Sequence, residues 1–282
     1  MKIAIIGADG MLGSEFVLLC KERVIDFSSY TINEIDITKS DSLVVIEKNV
    51  PNVIINCAAY TAVDNAEDDS TVAFAVNADG VKNIAELALS LGAKLVHFST
   101  DYVFSGDAQN PYLEDAAAAP VSVYGKSKLR GEEYLQEVLG NGNFLLLRTA
   151  WLYGSNGKNF VSTMLRLAKE RGEVRVVNDQ VGCPTFAKDL ALWTLDLLEN
   201  DAKGIFHAVN NGHCSWYEFA KKIFELSSIK VDCFPVSSEE FISKAKRPRY
   251  SIFSNQKLQD TLGYNVREWS EALSEYLFLT KL

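Results

Sequence analysis

A chain of 282 residues, 48% hydrophobic and 23% charged, can bury a core large enough for one α/β domain, or for a main domain with a smaller lobe. Its net charge of −9 argues against general affinity for nucleic acid or an anionic membrane, so an anionic small ligand would need positive charge gathered locally. The cysteines at 20, 57, 183, 214 and 233 are odd in number, scattered and without a CxxC pair, which points to reduced thiols in a cytoplasmic protein rather than disulfides or zinc.

The first apolar run, "KIAII" (2–6), reads as a strand buried on both faces. It stops at Gly7, too early for a signal peptide, and no later run reaches the ~18 apolar residues of a membrane span. Next comes "GADGMLG", with Gly7, Gly10 and Gly13 spaced Gly-x-x-Gly-x-x-Gly ahead of a helix expected at 11–22. Between strand and helix, such a turn aims free N–H groups and the positive dipole end at a phosphate. Gly7 would allow the tight turn, Gly10 the approach of a dinucleotide's pyrophosphate, and Gly13 close packing of helix on strand.

The second strand must end near residue 30, in "DFSSYTINEIDIT". An acid there would bond the adenosine ribose and favour NAD(H), but Tyr30, Thr31 and Ile32 are not acidic, and no arginine marks a 2′-phosphate pocket. The choice between NAD(H) and NADP(H) stays open. Asp36 and Ile37 are placed beside the adenine, with a helix-capping acid as the other reading of Asp36. Further on, a helix is expected at 40–49, a strand at 52–59, a helix at 68–91, a strand at 94–100, a helix at 123–138 and a strand at 143–154. Asp64, Glu67, Asp68 and Asp69 read as a solvated helix start. Alternating strand and helix predicts an α/β fold, a Rossmann-like, doubly wound parallel sheet.

Beyond 154 the rhythm loosens, with helices expected at 159–171, 187–199 and 215–227 and short strands at 173–179 and 205–210. The reading is a dinucleotide-binding domain over 1–154 and a smaller C-terminal, mainly substrate-binding lobe over 155–282 that partly returns to the main sheet. In "DQVGCPT", Gly182 and Pro184 would turn a polar loop over a ligand. "SWYEFAKKIF" (215–224) reads as a capped, amphipathic core helix rather than an aromatic ligand box. Lys246, Arg247 and Arg249 form the strongest local positive patch, either a clamp for a diphosphate or a solvated basic loop. His97 and His207 lie in apolar runs and His213 in a polar turn, with no metal-ligand spacing.

The chemistry centres on "STDYVF" (99–104), at the carboxyl end of its strand, and "YGKSK" (124–128). Helical spacing puts Tyr124 and Lys128 one turn apart on one face. A lysine ammonium beside the phenol is expected to lower its proton affinity from the ordinary pKa of ~10. With Thr100 bonding a carbonyl oxygen, the set suits delivery of a proton as a hydride reaches the carbonyl carbon. Alone, the pair would read as two residues on a solvated helix face; beside the glycine turn it reads as a site.

Together, GxxGxxG, "NCAAYTAVDNAE", "STDYVFSG", "YGKSKLRGE", "RTAWLYG" and "DQVGCPT" resemble the extended short-chain dehydrogenase/reductases and, within them, the dTDP-4-dehydrorhamnose reductases. The resemblance runs along essentially the whole chain. It implies NAD(P)H-dependent reduction of the C4 ketone of a dTDP-6-deoxy sugar, with Tyr124 as acid–base, Lys128 also holding the nicotinamide ribose, and Thr100 orienting the carbonyl. It further implies Gly10, Met11, Leu12, Asp36, Ile37, Ala58, Ala59 and Tyr60 at the cofactor, and Thr100, Asp101 and Trp151 at the sugar, with Arg247 a candidate for its diphosphate. Where related dehydratases carry an acid after the Thr-Asp pair, this chain has Tyr102, which favours simple reduction. Another 4-keto-6-deoxy nucleotide sugar is the alternative substrate. A non-catalytic nucleotide-binding subunit, like the regulatory subunit of methionine adenosyltransferase, is the alternative class. The resemblance allows a homodimer, and Mg²⁺ held by carboxylates at a subunit contact, though no motif here locates such an ion.

Overall fold

Strand β1 (Lys2–Ile6) is apolar on both faces, as a central parallel strand must be, and all of it but Lys2 is buried. The computed structural model describes residues 1–140, 142–241 and 243–281. From β1 the chain passes through α1 (Met11–Glu22) to β2 (Asp26–Tyr30), then α2 (Val44–Glu47) and β3 (Val53–Asn56). Three helical pieces follow, α3 (Val63–Asp68), α4 (Ser70–Phe74) and α5 (Gly80–Leu91), before the fully buried β4 (Lys94–Thr100). Helix α6 (Val123–Leu139) leads into β5 (Phe144–Thr149).

The second half contains β6 (Leu152–Tyr153), α7 (Phe160–Glu170), β7 (Glu173–Val177), β8 (Val181–Gly182), β9 (Thr185–Phe186) and α8 (Ala187–Glu199). It continues with β10 (Gly204–His207), β11 (Cys214–Ser215), α9 (Trp216–Leu226) and β12 (Asp232–Val236). Strand β13 (Tyr250–Ser251) and helices α10 (Gln256–Leu262) and α11 (Trp269–Thr280) complete it. Among the described residues no helix is long and apolar enough to cross a membrane.

The main sheet is parallel throughout, in the order β2-β1-β3-β4-β5-β10. This is the Rossmann-like, doubly wound sheet expected, and its last strand, β10, comes from the second half of the chain. The two-residue alternation along β1 divides the core. Ile3 and Ile5 pack with Phe16, Leu190 and Leu197 on one face, and Ala4 and Ile6 with Val81, Ile84 and Leu135 on the other. A third cluster, around Tyr153, Phe186, Phe219 and Tyr276, gathers apolar residues of the second half of the chain. The strand order reverses at β1, so a crevice opens there at the carboxyl ends of the strands.

Two expected elements break, each for a visible reason. The helix expected at 68–91 is interrupted at Asp69, whose φ of −130° ends α3 and whose carboxylate caps α4 by accepting the Val72 N–H at 3.2 Å. A π-turn over Ala75–Asp79 then drives Asn77 into the interior. The strand expected at 143–154 stops at Thr149, because Trp151 takes a left-handed φ of 47°. The chain beyond it leaves the sheet, and β6 pairs with β9 instead. Helices α10 and α11 were not anticipated from sequence.

Candidate active site

At the carboxyl end of β1, Gly7 adopts φ +75°, and a Cβ there would lie 2.8 Å from the Ala58 nitrogen. The N–H groups of Gly7 and Ala8 both donate to the Tyr30 carbonyl, which fastens the turn to β2. A Cβ on Gly13 would lie 2.1 Å from the Gly7 oxygen, so helix and strand touch backbone to backbone. Gly10 differs: a Cβ there would meet only the Gly7 oxygen, at 3.2 Å. No side chain caps α1 at this end, leaving its N-terminal amides to an outside acceptor. The Leu12 side chain is buried in the core, so its part in any ligand contact is limited to backbone.

The other edges of the crevice are held by short-range bonds. Asp36 accepts from the Thr38 hydroxyl at 2.7 Å and pairs with Lys39 at 2.9 Å, and these bonds, Thr38 first, hold its carboxyl below the usual range. Ile37 is buried against Gly80. Asn56 accepts the Ala58 N–H, and Asn77 grips Tyr60 by both its N–H and its carbonyl, so the segment Ala58, Ala59, Tyr60 is fixed yet half-exposed. Buried hydroxyls of Ser99 and Thr149, at the carboxyl ends of β4 and β5, lack a partner among the described residues. An uncapped helix start and a bare glycine face fit the pyrophosphate of a dinucleotide-type ligand.

Thr100, the last residue of β4, donates to Asp101 Oδ1 at 2.9 Å and accepts the Tyr102 N–H at 3.3 Å. Asp101 is 3% exposed, and burial pushes its carboxyl up to about 6. Helix α6 starts against this turn: Ser122 caps it by accepting the Gly125 N–H, and a Cβ on Gly125 would lie 2.2 Å from the Tyr102 carbonyl. That contact places Tyr124 beside Thr100, with the Tyr102 ring edge-on at 5.4 Å.

The lysine does not do to Tyr124 what the spacing suggested. Burial raises the phenol's proton affinity well above the ordinary value; the Thr100 hydroxyl pulls it back in part, and Lys128 is not among the groups that move it. The reason is geometric. Lys128 Nζ turns into the sheet, donating to the Phe98 carbonyl at 2.6 Å and lying 3.4 Å from His97 Nε2. Burial in turn lowers Lys128 to about 8, against the opposing charge of Glu132.

On the other side of the mouth, Trp151 lies flat on Trp216, ring centres 3.5 Å apart at 5°. A Cβ on Gly182 would meet the Trp151 ring at 2.5 Å and Ser251 Oγ at 2.8 Å. Gly182 is therefore not the loop turn expected but a strand residue whose missing side chain makes room for the indole. Helix α9 is capped as expected, by the Ser215/Glu218 capping box. Arg247 is already engaged, by the Tyr102 hydroxyl at 2.9 Å and Asp64 at 2.9 Å. The acidic stretch is the solvated helix start expected, with Glu67, Asp68 and Asp69 exposed, but it also makes contacts that were not expected. Asp64 also accepts the Ala245 N–H, Asp68 pairs with Lys244, and Glu67 accepts the Val123 N–H at the start of α6. Beside it, Arg247, Arg249, Lys244, Lys246 and Gln180 line a cavity of about 620 Å³.

Asn56, Asn77, His97 and Gln180 escaped the sequence reading as parts of the site. For two of them a signal existed: Asn56 and His97 are polar residues in otherwise apolar neighbouring strands, and they stand opposite each other in register. Among the described residues no group of three or more histidines, cysteines and carboxylates could hold a metal.

Comparison with known proteins gives the site a family. The RmlD substrate binding domain matches residues 1–281. The spore coat polysaccharide biosynthesis protein SpsK of Bacillus subtilis is 39% identical over 284 residues, covering 98% of this chain and 96% of that one. A solved dTDP-4-dehydrorhamnose reductase from Clostridium acetobutylicum superposes with a TM-score of 0.96 at 43% identity, with 100% of each chain covered. That of Bacillus anthracis, solved in complex with NADP, gives 0.95 at 41% identity over 99% of each chain. The fold, the crevice and these matches agree, and the chain belongs to the RmlD substrate-binding-domain family.

Proposed function

We propose that the protein reduces the C4 ketone of dTDP-4-dehydro-L-rhamnose to dTDP-L-rhamnose, using NADPH or NADH, in nucleotide-sugar biosynthesis for cell-surface polysaccharide. The observation that carries this reading is the bond between Thr100, at the carboxyl end of the central strand β4, and Tyr124 of α6, with Lys128 one helical turn further on. The bound nicotinamide supplies a hydride to the sugar's C4 carbon. Everything else falls to the chain's own groups.

Residues 1–154 act mainly on the dinucleotide and 155–282 mainly on the sugar nucleotide. The backbone of Gly7, Gly10 and Gly13 and the first amides of α1, at Met11 and Leu12, hold the pyrophosphate. Asp36 and Ile37 flank the adenine, and Ala58, Ala59 and Tyr60 line the crevice toward the nicotinamide. Lys128 reaches the nicotinamide ribose. Thr100 bonds the ketone oxygen, and Tyr124 donates the proton that this oxygen takes up. A phenol held protonated by burial is the right resting form for a reduction, because only the protonated form can donate. Asp101 and Trp151 bind the sugar, and Arg247 with the cations beside it takes the diphosphate. We place the reaction in the cytoplasm, in keeping with the five free thiols.

The direct test mixes purified protein with dTDP-4-dehydro-L-rhamnose and follows the absorbance of the reduced nicotinamide. Oxidation, with dTDP-L-rhamnose as the product by NMR, supports the reading. No oxidation with either cofactor overturns it, and a different C4 configuration would move the assignment to another 4-keto-6-deoxy sugar.

A further inference from the structure

His97 is 1% exposed in the middle of β4, and nothing proposed above uses it. Its surroundings determine where its proton sits. Asn56 Oδ1 accepts the Ala58 N–H at 3.1 Å, so the amide's other end, Nδ2, lies 3.2 Å from His97 Nδ1. An amide nitrogen only donates, so Nδ1 must be the bare ring nitrogen and the proton must sit on Nε2. A second ring proton is disfavoured: burial, and then the Lys128 charge, hold His97 well below its ordinary value.

The Nε2–H therefore faces Lys128 Nζ at 3.4 Å, while Nζ donates its own hydrogen to the Phe98 carbonyl at 2.6 Å. An ammonium has no lone pair with which to accept an N–H; a neutral amine has one. The charges acting on this pair, among the described residues, are few. Lys128 acts on His97, and Glu132 on α6 favours the ammonium. Glu132 is itself paired with Arg148 of β5 at 2.7 Å, while the partner from β3, Asn56, is neutral.

We infer that His97 is a positioning residue for the acid–base step: locked by Asn56 as the Nε2–H tautomer, it offers Lys128 a donor rather than an acceptor and so eases release of the lysine proton. This rests on the reductase reading for its purpose, but not for its chemistry. A lysine that gives up its proton readily can replace the one Tyr124 passes to the substrate once its Nζ swings from the Phe98 carbonyl toward the phenol: a Lys128 N–H bond then breaks, the phenolate oxygen regains a proton, and a neutral amine remains until solvent recharges it. Burial alone already brings Lys128 close to that balance, at about 8.

The test uses the whole ligand-free protein and two spectroscopic readouts. Nitrogen-15 shifts of the His97 ring are expected to show Nδ1 bare and Nε2 protonated, without titration between about pH 6 and 9. The lysine Cε carbon-13 signal that disappears in Lys128→Met is expected to titrate near 8 in the parent protein. In His97→Gln the side-chain amide is free to turn its oxygen to the ammonium, and the proton affinity of Lys128 is expected to rise about tenfold. The alkaline limb of kcat should move up with it. A proton found on Nδ1 overturns the inference, as does an unmoved Lys128 midpoint in His97→Gln. The ring measurement stands even if that variant fails to fold. Failure of the reductase reading shows itself separately, as no turnover by a protein whose His97 and Lys128 signals behave as expected.

Discussion

Tyr124 can hand a proton to an oxygen only while it still holds one, and burial keeps it in that state. Tyr124→Phe keeps the ring and its edge contact with Tyr102 but has nothing to donate. Its kcat/KM is expected to fall by ~10²–10⁴-fold while cofactor affinity, read by fluorescence titration, stays unchanged. Asp101 offers a test that needs no substrate. Its carboxyl is raised from 3.8 to about 6, burial outweighing the bonds from Ser251 and Thr100. A raised acid contributes its full stability below the lower value and loses it as pH climbs through the higher one. Asp101→Asn cannot ionise. It should match the parent below about pH 4 and exceed it by about 3 kcal/mol above pH 6, in urea unfolding followed across that range. At this scale the sequence was legible where placement follows spacing: Thr100 at a strand end and Tyr124 one turn before Lys128. It was silent on where the lysine head points, because the Phe98 carbonyl and His97 come near only once β4 lies under α6.

At the scale of elements, interruptions position the site as much as the regular pieces do. Asp69 and the π-turn after it exist for what they hold, Asn77 reaching from one helical run to Tyr60 and Ser127. Helical periodicity continues through such a break, which is why a single helix over 68–91 was the natural reading. The ion pair of Glu132 with Arg148 is a buried, multiply hydrogen-bonded tie between α6 and β5. Its side chains are 1% and 6% exposed, and Arg148 also donates to the Glu114 carbonyl, fastening the loop that follows Thr100. Glu132→Gln strands a buried guanidinium. It is expected to cost about 3–5 kcal/mol, seen as a lower urea midpoint with an unchanged slope.

For the whole molecule, charge is distributed against its average. A chain of net charge −9 gathers Lys244, Lys246, Arg247 and Arg249 around one cavity, and an acidic helix, α3, neutralises part of that group. Under the proposed function, a nucleotide sugar entering there would be drawn by these four cations, which share the lining with Asp107 and Glu239, rather than by net charge. Raising ionic strength from about 0.05 to 0.5 M should therefore raise its KM by roughly threefold, with kcat little changed, in steady-state assays. The main sheet was legible because alternating apolar runs and helices leave few parallel arrangements open. The lobe was not, since β8, β9, β11 and β13 are two residues each and owe their existence to partners distant in sequence.

The left-handed backbone at Trp151 carries a longer consequence. Such a conformation costs about 1–3 kcal/mol for a residue with a side chain, and glycine would adopt it freely. Trp151→Gly would release that cost, and the room that the bare Gly182 leaves for the indole would then stand empty.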